Sequence, residues 1–232
     1  PRHTTNSNHR YHKWKNLIHG FEPMAANQLW AADITYIMLN NGDVCYLHLI
    51  TDAYSRMIVG WELADTLRAS ITIKALEQAI SQTGGVSLEG LIHHSDRGVQ
   101  YCCDDYVRTL QTHKIKISMT EDYNPTDNAI AERANGVIKT ETVYSRKTFN
   151  SLEHARNVIG RFIHFYNYRR PHMSIGYKIP AVVHTETGAQ KKMWKKKNYT
   201  KKMYNNENNG ISLPCRTTGE DDGCNHHTVY SI

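Results

Sequence analysis

The stretch "DITYIMLNNGDVCYLHLITDAYSRMIVGWELA", residues 33–64, decides the fold of this chain. It holds three runs rich in β-branched and aromatic residues, separated by the turn-forming letters "NNGD" and "DAYS". Apolar and polar residues alternate in the first run, as they do in a strand with one buried face. Because connections this short join antiparallel neighbours, the stretch predicts a three-stranded meander.

The residues after this meander predict alternating helices and strands. Residues 70–85 have apolar side chains at helical spacing and end at a Gly-Gly pair, which is typical of a helix with a left-handed cap. Further on come a strand in 90–95, a helix in 103–113, a strand in 114–119 and a helix in 129–142. The order βββαβαβα belongs to the α/β class and predicts a mixed five-stranded sheet flanked by helices.

The chain divides into a core and two flanking regions. Residues 1–26 are polar and are expected to be a linker or the end of an upstream region. Residues 27–150 form the predicted core, and the long helical pattern in 151–190 makes that segment a C-terminal helix and extension of the core. The Asn-rich and Lys-rich residues 191–232 lack periodicity and are expected to be a disordered basic tail.

The net charge and the cysteine pattern limit the kinds of protein that this chain can be. The 232 residues carry a formal charge of +6, but the excess lies at the two ends, since residues 17–190 hold 16 basic and 18 acidic residues. A core with this balance that handled phosphates would need divalent metal to reconcile its carboxylates with phosphate oxygens. The five cysteines form no C-x-x-C pair and no apolar run is long enough to span a bilayer, so a cytoplasmic protein is expected.

Three carboxylates stand where a site of such a fold would lie. Asp33 begins the first strand run, Asp96 directly follows the fourth, and Glu132 lies in the first turns of the helix in 129–142. Sites in sheets of this class gather where strands end and loops converge. The 35 residues between Asp96 and Glu132 are enough to return the chain to the same edge, so the two acids are expected to meet.

The helix in 129–142 has a polar stripe that is separate from its apolar one. Residues three or four apart share a helical face, so one polar stripe is predicted at positions 128, 132, 135 and 139. The apolar positions expected to face the sheet are 130, 134, 137 and 138. Thr126 or Asp127 is the expected N-cap, which places Glu132 within about two turns of the positive end of the helix.

Carboxylates in this arrangement suit phosphodiester chemistry. Two divalent ions held about 4 Å apart activate a water or a 3′-hydroxyl on one side and stabilise the leaving oxygen on the other. Oxygen ligands favour Mg²⁺ or Mn²⁺. Asp33, Asp96 and Glu132, with two Mg²⁺ or Mn²⁺ ions as cofactors, are therefore candidates for cleavage or transfer of phosphodiester bonds, and spacing alone leaves open that they are ordinary solvated surface acids. Lys139, on the same stripe, is placed to contact a DNA phosphate beside the metals.

Five ordered blocks of the sequence resemble a known family. They are "NQLWAADITYI" (27–37), "TDAYSRMIVGW" (51–61), "HHSDRGVQY" (93–101), "NPTDNAIAERANGVIKTE" (124–141) and "FYNYRRPHMSIGYKIP" (165–180). In these blocks the chain closely resembles the transposases of bacterial insertion sequences that share the retroviral-integrase catalytic core. The resemblance implies an RNase H-like fold, with residues 27–150 as the integrase catalytic core, and transfer of a DNA 3′ end without a covalent enzyme intermediate.

The resemblance also implies roles and partners. The family's acidic triad, which binds two metal ions, falls on Asp33, Asp96 and Glu132, and its basic residue falls on Lys139. The implied partner is DNA, both transposon ends and target, with Lys139, Asn128 and Arg97 as the expected contacts. The family works in multimers, so a homo-oligomer on DNA is expected, associated with the bacterial nucleoid.

The chain departs from the family pattern in two places. Many members carry an aromatic pair soon after the glutamate, where this chain has "RANG" (133–136). Members usually have helix-turn-helix segments upstream, and residues 1–26 resemble only the end of such a region.

Other residues are predicted to have structural roles. One of His93 and His94 is expected to pack or hydrogen-bond near the strand end, although either could orient a water, and Asp52 is expected to cap a turn. Trp30 and Trp61 are expected to be core or core-edge aromatics rather than platforms for base stacking. The tract "YNYRRPH" (166–172) is basic and aromatic, which suits contact with a DNA backbone, although helix termination is the structural alternative.

Two other functions remain open at this point. A nuclease of the same fold would use the same metal pair to hydrolyse DNA without strand transfer, since water and a 3′-hydroxyl can both serve it. A catalytically silent DNA-binding protein derived from a transposase would bind DNA and form no product.

Overall fold

The computed structural model describes residues 7–121, 128–144 and 149–190, and the predicted tail 191–232 lies outside them. Five strands form one mixed sheet in the order β3-β2-β1-β4-β5. They are β1 (Leu29–Met38), β2 (Val44–Asp52), β3 (Ile58–Ala64), β4 (Ile92–Ser95) and β5 (Lys116–Met119). The first three pair antiparallel, whereas β4 pairs parallel with both β1 and β5. The predictions of a meander and of a mixed five-stranded sheet are confirmed.

Helices cover both faces of this sheet. On the first face lie α1 (Ala69–Gln82), α2 (Val99–Cys102) and α3 (Asp104–Thr112), and on the second lie α4 (Ala129–Ile138) and α5 (Leu152–Tyr168). A 3₁₀ turn, Met173–Ile175, and the short helix α6 (Pro180–Val183) follow. Within the described part of the chain, no helix is both long and apolar enough to cross a membrane.

Two predicted helices differ from the observed ones. The single helix expected in 103–113 is preceded by a separate short helix, because Cys103 has an extended backbone, with ψ at 151°, between α2 and α3. The helix expected to reach residue 142 keeps α geometry only as far as Ile138 and continues as a π-helical turn, Lys139–Tyr144. The order of elements is otherwise the predicted one.

Side chains that alternate along β1 contribute to two separate hydrophobic cores, one on each face of the sheet. Trp30, Ala32 and Ile34 pack with α1 to α3 on the first face, and Ile37 packs with α4 and α5 on the second. Trp30 is fully buried, as predicted for a core aromatic. Since neighbours along a strand point to opposite faces, Asp33 lies on the second face, which α4 covers.

Helix α1 lies unusually close to β3 at Gly60. A Cβ built on this glycine would be 2.1 Å from the backbone oxygen of Ala75 and 3.0 Å from the Cβ of Ala79. Both alanines are fully buried against the sheet. The contact between helix and strand therefore requires small residues on the helix and no side chain on the strand.

The segment before β1 covers the outer edge of β5. The Leu17 N–H donates to the hydroxyl of Ser118 at 2.8 Å, and the Met119 N–H donates to the carbonyl of Lys15 at 3.4 Å. Trp14 packs against the core of the first face. This edge of the sheet is therefore partly paired with the chain's own N-terminal region.

Candidate active site

Asp33 on β1 and Asp96 directly after the neighbouring strand β4 lie at the same level of the sheet. Ala31 of β1 pairs with His94 of the parallel strand β4, and the two acids are each two residues farther along the chain. Both side chains are partly buried. Asp96 begins the loop after β4, where its Oδ1 accepts a hydrogen bond from the Gly98 N–H at 2.9 Å. The expectation that sites gather at strand ends therefore fits the position of Asp96.

Helix α4 brings a third acid to this pair. Two side-chain amides fix the helix to β1: Asn128 Nδ2 donates to the Ala32 carbonyl at 3.1 Å, and Asn135 Nδ2 donates to Asp33 Oδ2 at 2.6 Å. Glu132, in the first turn of α4, lies between these amides on the same helical stripe and is exposed. Its carboxylate is therefore on the side of α4 that faces Asp33.

The start of α4 differs from the expectation. Thr126 and Asp127, the expected N-caps, lie outside the described residues, and Asn128 occupies the N-cap position. Its side chain makes no capping hydrogen bond: Nδ2 donates to β1, and Oδ1, the atom that would accept from a helix N–H, has no partner among the described residues. Asn128 and Asn135 are both buried, so the polar stripe of the helix faces the sheet at these two positions.

The carboxyl of Asp33 has a raised pKa. Burial is the largest cause, and the negative charges of Asp96 and Glu132 also raise the pKa, while the hydrogen bond from Asn135 lowers it; the result is about 7 instead of 3.8. Since electrostatic effects weaken with distance, Asp96 and Glu132 both lie near enough to Asp33 to influence its pKa. A bound cation would relieve their repulsion.

Asp33→Asn is expected to stabilise the metal-free protein at neutral and alkaline pH. Between about pH 4 and pH 7 the folded protein keeps a proton on Asp33 that the unfolded chain has released, so stability falls as pH rises through this window. The substitution removes this loss, on the order of 4 kcal/mol at about pH 8, and little of it at about pH 4. Urea unfolding in chelator across this range measures the difference.

The control for this prediction is Glu153→Gln, which changes an exposed carboxylate in the first turn of α5. A surface substitution of this kind should shift the free energy of unfolding by no more than about 0.5 kcal/mol. If Asp33→Asn and Glu153→Gln have the same pH profile, Asp33 does not carry the raised pKa.

The donor atoms at this site match a divalent cation. In the described residues, no three His, Cys, Asp or Glu side chains stand close enough together to hold one metal ion as they are placed. The converging carboxylates nevertheless form an all-oxygen donor set, the kind that Mg²⁺ and Mn²⁺ prefer. The buried Oδ1 atoms of Asn128 and Asn135 also have no hydrogen-bond partner among the described residues. Unsatisfied oxygens and mutual repulsion both favour a cation here.

Both basic residues expected to contact DNA are near the acids, Lys139 in space and Arg97 in sequence. Lys139 Nζ lies 4.4 Å from the centroid of the Tyr36 ring on β1. Partial burial lowers the pKa of Lys139, and the charge of Asp33 raises it. Arg97 directly follows Asp96, and its Nε is buried with no hydrogen-bond partner in the described part of the chain. Asn128 is the third expected contact. Its Nδ2 already donates to β1, so only its buried Oδ1 is available to a ligand.

Residues that were predicted to be structural are placed accordingly. His93 Nε2 lies 2.9 Å from the Tyr106 hydroxyl, and His94 Nδ1 lies 2.9 Å from a serine hydroxyl on β5. Both histidines are buried. Asp52 Oδ1 accepts hydrogen bonds from the N–H and the hydroxyl of Ser55, as expected of a residue that caps a turn. These predictions are confirmed.

Two family models match the chain. Both describe an integrase core domain, and they match residues 23–125 and 113–180. The chain belongs to the integrase core domain family. Together the matches span residues 23–180, which include Asp33, Asp96 and Glu132 of this integrase core.

Curated relatives of this integrase core come from bacterial insertion sequences. A Mycobacterium tuberculosis protein named as a transposase for insertion sequence element IS986/IS6110 is 36% identical over 174 residues, which are 74% of this chain and 62% of that protein. The Lactococcus lactis transposase for insertion sequence element IS904 is 33% identical over 167 residues, which are 71% of this chain and 64% of that protein. The chain thus spans less than two thirds of the length of these relatives.

A solved structure shares the fold of this integrase core. The catalytic core domain of HTLV-2 integrase, in complex with magnesium, matches with a TM-score of 0.55 at 20% identity, over 70% of this chain and 99% of that one. The predicted RNase H-like fold is confirmed by this match and by the order of strands.

Sequence reasoning missed one residue of this site, Asn135. Its position on the polar stripe is predicted, since it lies three residues after Glu132 and seven after Asn128. Nothing in the sequence separates it from an ordinary solvated polar residue, because its importance comes from the 2.6 Å contact with Asp33 across 102 positions of sequence. The spacing from Glu132 was the available signal.

Proposed function

We propose that this chain is the catalytic part of a DNA transposase that performs metal-dependent phosphodiester cleavage and 3′-OH strand transfer. The convergence of Asp33, Asp96 and Glu132 from β1, the loop after β4 and α4 is the observation that carries the proposal. The names of the relatives from insertion sequences support DNA transposition as the overall reaction. DNA with a free 3′-hydroxyl is the proposed substrate.

The proposed cofactors are two Mg²⁺ or Mn²⁺ ions held by Asp33, Asp96 and Glu132. The magnesium in the structure of the HTLV-2 integrase core supports this choice. When bound, such ions supply activation of the attacking hydroxyl and stabilisation of the leaving oxygen. The raised pKa of Asp33 supports the proposal as well, because crowded carboxylates with no cation nearby are unfavourable.

The remaining residues of the site are proposed to hold the carboxylates in place and to orient the DNA. Asn135 fixes the Asp33 carboxylate through its 2.6 Å hydrogen bond and so sets the position of α4 relative to β1. Lys139 and Arg97 are the proposed contacts with DNA phosphates. Asn128 is the third proposed contact, and a DNA donor would have to reach its buried Oδ1.

The proposed partners are transposon-end DNA, target DNA and further copies of this chain. Two DNA ends have to be held together during transposition, which supports a homo-oligomer on DNA. Its substrate would place the protein at the nucleoid in the bacterial cytoplasm.

Joined DNA products are expected when the purified chain is incubated with labelled DNA carrying a free 3′-hydroxyl and Mg²⁺ or Mn²⁺. On a denaturing gel these products are longer than the input strand, because a 3′ end has been transferred to a second molecule. Chelator should remove them, and added Mg²⁺ should restore them, since the carboxylates need a divalent cation to support the chemistry.

The same gel separates the alternatives. Shorter products alone, lost with chelator, would indicate a nuclease of the same fold and contradict strand transfer. DNA binding without any metal-dependent product would indicate a catalytically silent relative.

A further inference from the structure

A cavity of about 460 Å³ lies beside α4, away from the carboxylates. Among its lining residues are Arg133 and Val137 of α4, whereas Glu132 and Asn135 lie on the stripe that faces β1. In a helix with 3.6 residues per turn, these two sets point in nearly opposite directions. The cavity is therefore separate from the candidate active site but shares a helix with it.

Three arginines from different parts of the fold converge on this cavity. Arg56 lies in the turn after β2, Arg133 on α4, and Arg170 just beyond the end of α5. Tyr166 lines the same cavity: burial raises the pKa of its hydroxyl to about 12, and the charges of all three guanidinium groups act to lower it. Their common effect on one hydroxyl supports their convergence in space.

Arg56 is the most unusual of the three. Its backbone has a positive φ of 66°, which is uncommon for a residue with a side chain. Its Nε and Nη1 atoms are buried and have no hydrogen-bond partner among the described residues. Burial is the main cause that lowers the pKa of Arg56, and the positive charge of Arg133 adds to it. A buried guanidinium with unmatched donors is costly unless an anion completes it.

The nearby acids are already engaged. Glu141 pairs with Arg170, whose Nη2 lies 2.5 Å from Oε1. Asp52, which also influences Arg56, accepts hydrogen bonds from the Ser55 hydroxyl on one oxygen and the Asn27 N–H on the other. Among the ion pairs formed by the described residues, none involves Arg56 or Arg133. The cavity therefore has an excess of positive charge.

Neutral donors and apolar surface complete the lining. His172 is held neutral at physiological pH, because burial and the charge of Arg170 are the leading causes that lower its pKa to about 4. Its Nε2 is buried with no partner in the described part of the chain. Ser174 adds a hydroxyl, and Ile130 and Met173 add apolar surface. Guanidinium groups and hydroxyls suit phosphate oxygens, and the apolar side suits the sugar of a nucleotide.

We propose that this cavity binds a backbone phosphate of a DNA strand through Arg56, Arg133 and Arg170. The choice of a DNA strand over a small anion rests on the proposed function and on the size of the cavity, which exceeds that of one phosphate group. Because α4 carries both Arg133 and Glu132, a strand held here fixes the helix that presents the third carboxylate. The basic tract "YNYRRPH" (166–172), which supplies Tyr166, Arg170 and His172, thereby gains a binding role.

Binding of a fluorescein-labelled DNA duplex to the full chain, followed by anisotropy in chelator, tests this site without any catalysis. Arg133→Gln and Arg170→Gln are each expected to weaken binding about tenfold, because each removes a charged hydrogen bond to phosphate. The slope of log affinity against log salt should fall by about 0.9 for each lost contact, measured from about 50 to about 200 mM salt. Arg133→Lys keeps the positive charge but loses the paired N–H donors of the guanidinium group. It should therefore weaken binding less than Arg133→Gln does.

The matched control is Arg108→Gln, which removes one exposed arginine on α3 that pairs with Asp105. It should leave affinity within about twofold and the salt slope unchanged. Arg133 is exposed, so its replacement should not affect folding, and thermal unfolding of each variant verifies this. Glu141→Gln frees Arg170 from its partner and is expected to leave binding equal or stronger.

The outcomes separate this proposal from the proposed function. If Arg133→Gln and Arg170→Gln bind DNA as Arg108→Gln does, the phosphate site is wrong, even if the parent protein joins DNA. If the parent forms no product but these two variants lose DNA affinity, the phosphate site stands and strand transfer does not. If inorganic phosphate raises the melting temperature of the parent and not of the variants, while DNA affinity is equal in all, the cavity binds a small anion and a DNA strand is excluded.

Discussion

Glu132→Gln is expected to abolish both joined and shortened DNA products while leaving the fold intact. The substitution keeps the shape of the side chain but removes the negative charge that completes the carboxylate group around Asp33. Loss of a residue that acts as a unit with its partners lowers the rate on the order of a thousandfold or more. Glu132 is exposed in the first turn of α4, so its replacement should hardly change stability.

Product yield on a denaturing gel, in Mg²⁺ and in Mn²⁺, measures this effect. Asp33→Asn and Asp96→Asn should cause losses of similar size, because the three acids are proposed to hold the metal ions together. Glu153→Gln, an exposed acid in the first turn of another helix, should retain full activity. Activity of Glu132→Gln near that of Glu153→Gln would remove Glu132 from the proposed site and leave the metal to other ligands.

Gly60→Ala is expected to destabilise the protein more than any other single change considered for this fold. The added Cβ would lie 2.1 Å from the backbone oxygen of Ala75, well inside contact distance. Because that atom belongs to the α1 backbone, the whole helix has to move away from β3. We expect a loss of at least about 3 kcal/mol in the free energy of unfolding, at the upper end of overpacking effects.

The midpoint of urea unfolding measures this loss, and Gly136→Ala supplies the matched control. Gly136 lies within α4, and a Cβ built on it meets nothing within 4 Å among the described residues. Since alanine favours helix over glycine, this change should stabilise the protein by about 0.5–1 kcal/mol. Equal midpoints for Gly60→Ala and the parent would mean that α1 does not contact β3 as closely as described.

The strand pattern of this fold was open to prediction because period-2 alternation is a local property. Alternation in the run "DITYIML" predicts that Asp33 and Ile34 point to opposite sides of the strand. In the structure these two side chains lie on opposite faces of β1. Asp96 was also identifiable, since it directly follows a short buried strand. A residue that directly follows a buried strand lies at the edge of the sheet where the strands end.

The less local features were not open to prediction. The break between α2 and α3 depends on one extended residue, Cys103, in a segment whose letters are compatible with a single helix. Arg56 lies in a turn that reads as a simple connection between strands, and its cavity is closed by α4 and by residues more than 100 positions later. Such contacts depend on tertiary packing, which neither propensity nor spacing encodes.

The segment before β1 has a consequence for how such proteins evolve. Exchange of N-terminal regions between related proteins is simplest when the exchanged piece makes no contact with the part that stays. Lys15 and Leu17 instead hydrogen-bond to β5, and Trp14 packs into the core. A different region joined directly before β1 would leave the edge of β5 without these partners, so crossovers that fall upstream of Trp14 should be the ones that survive selection.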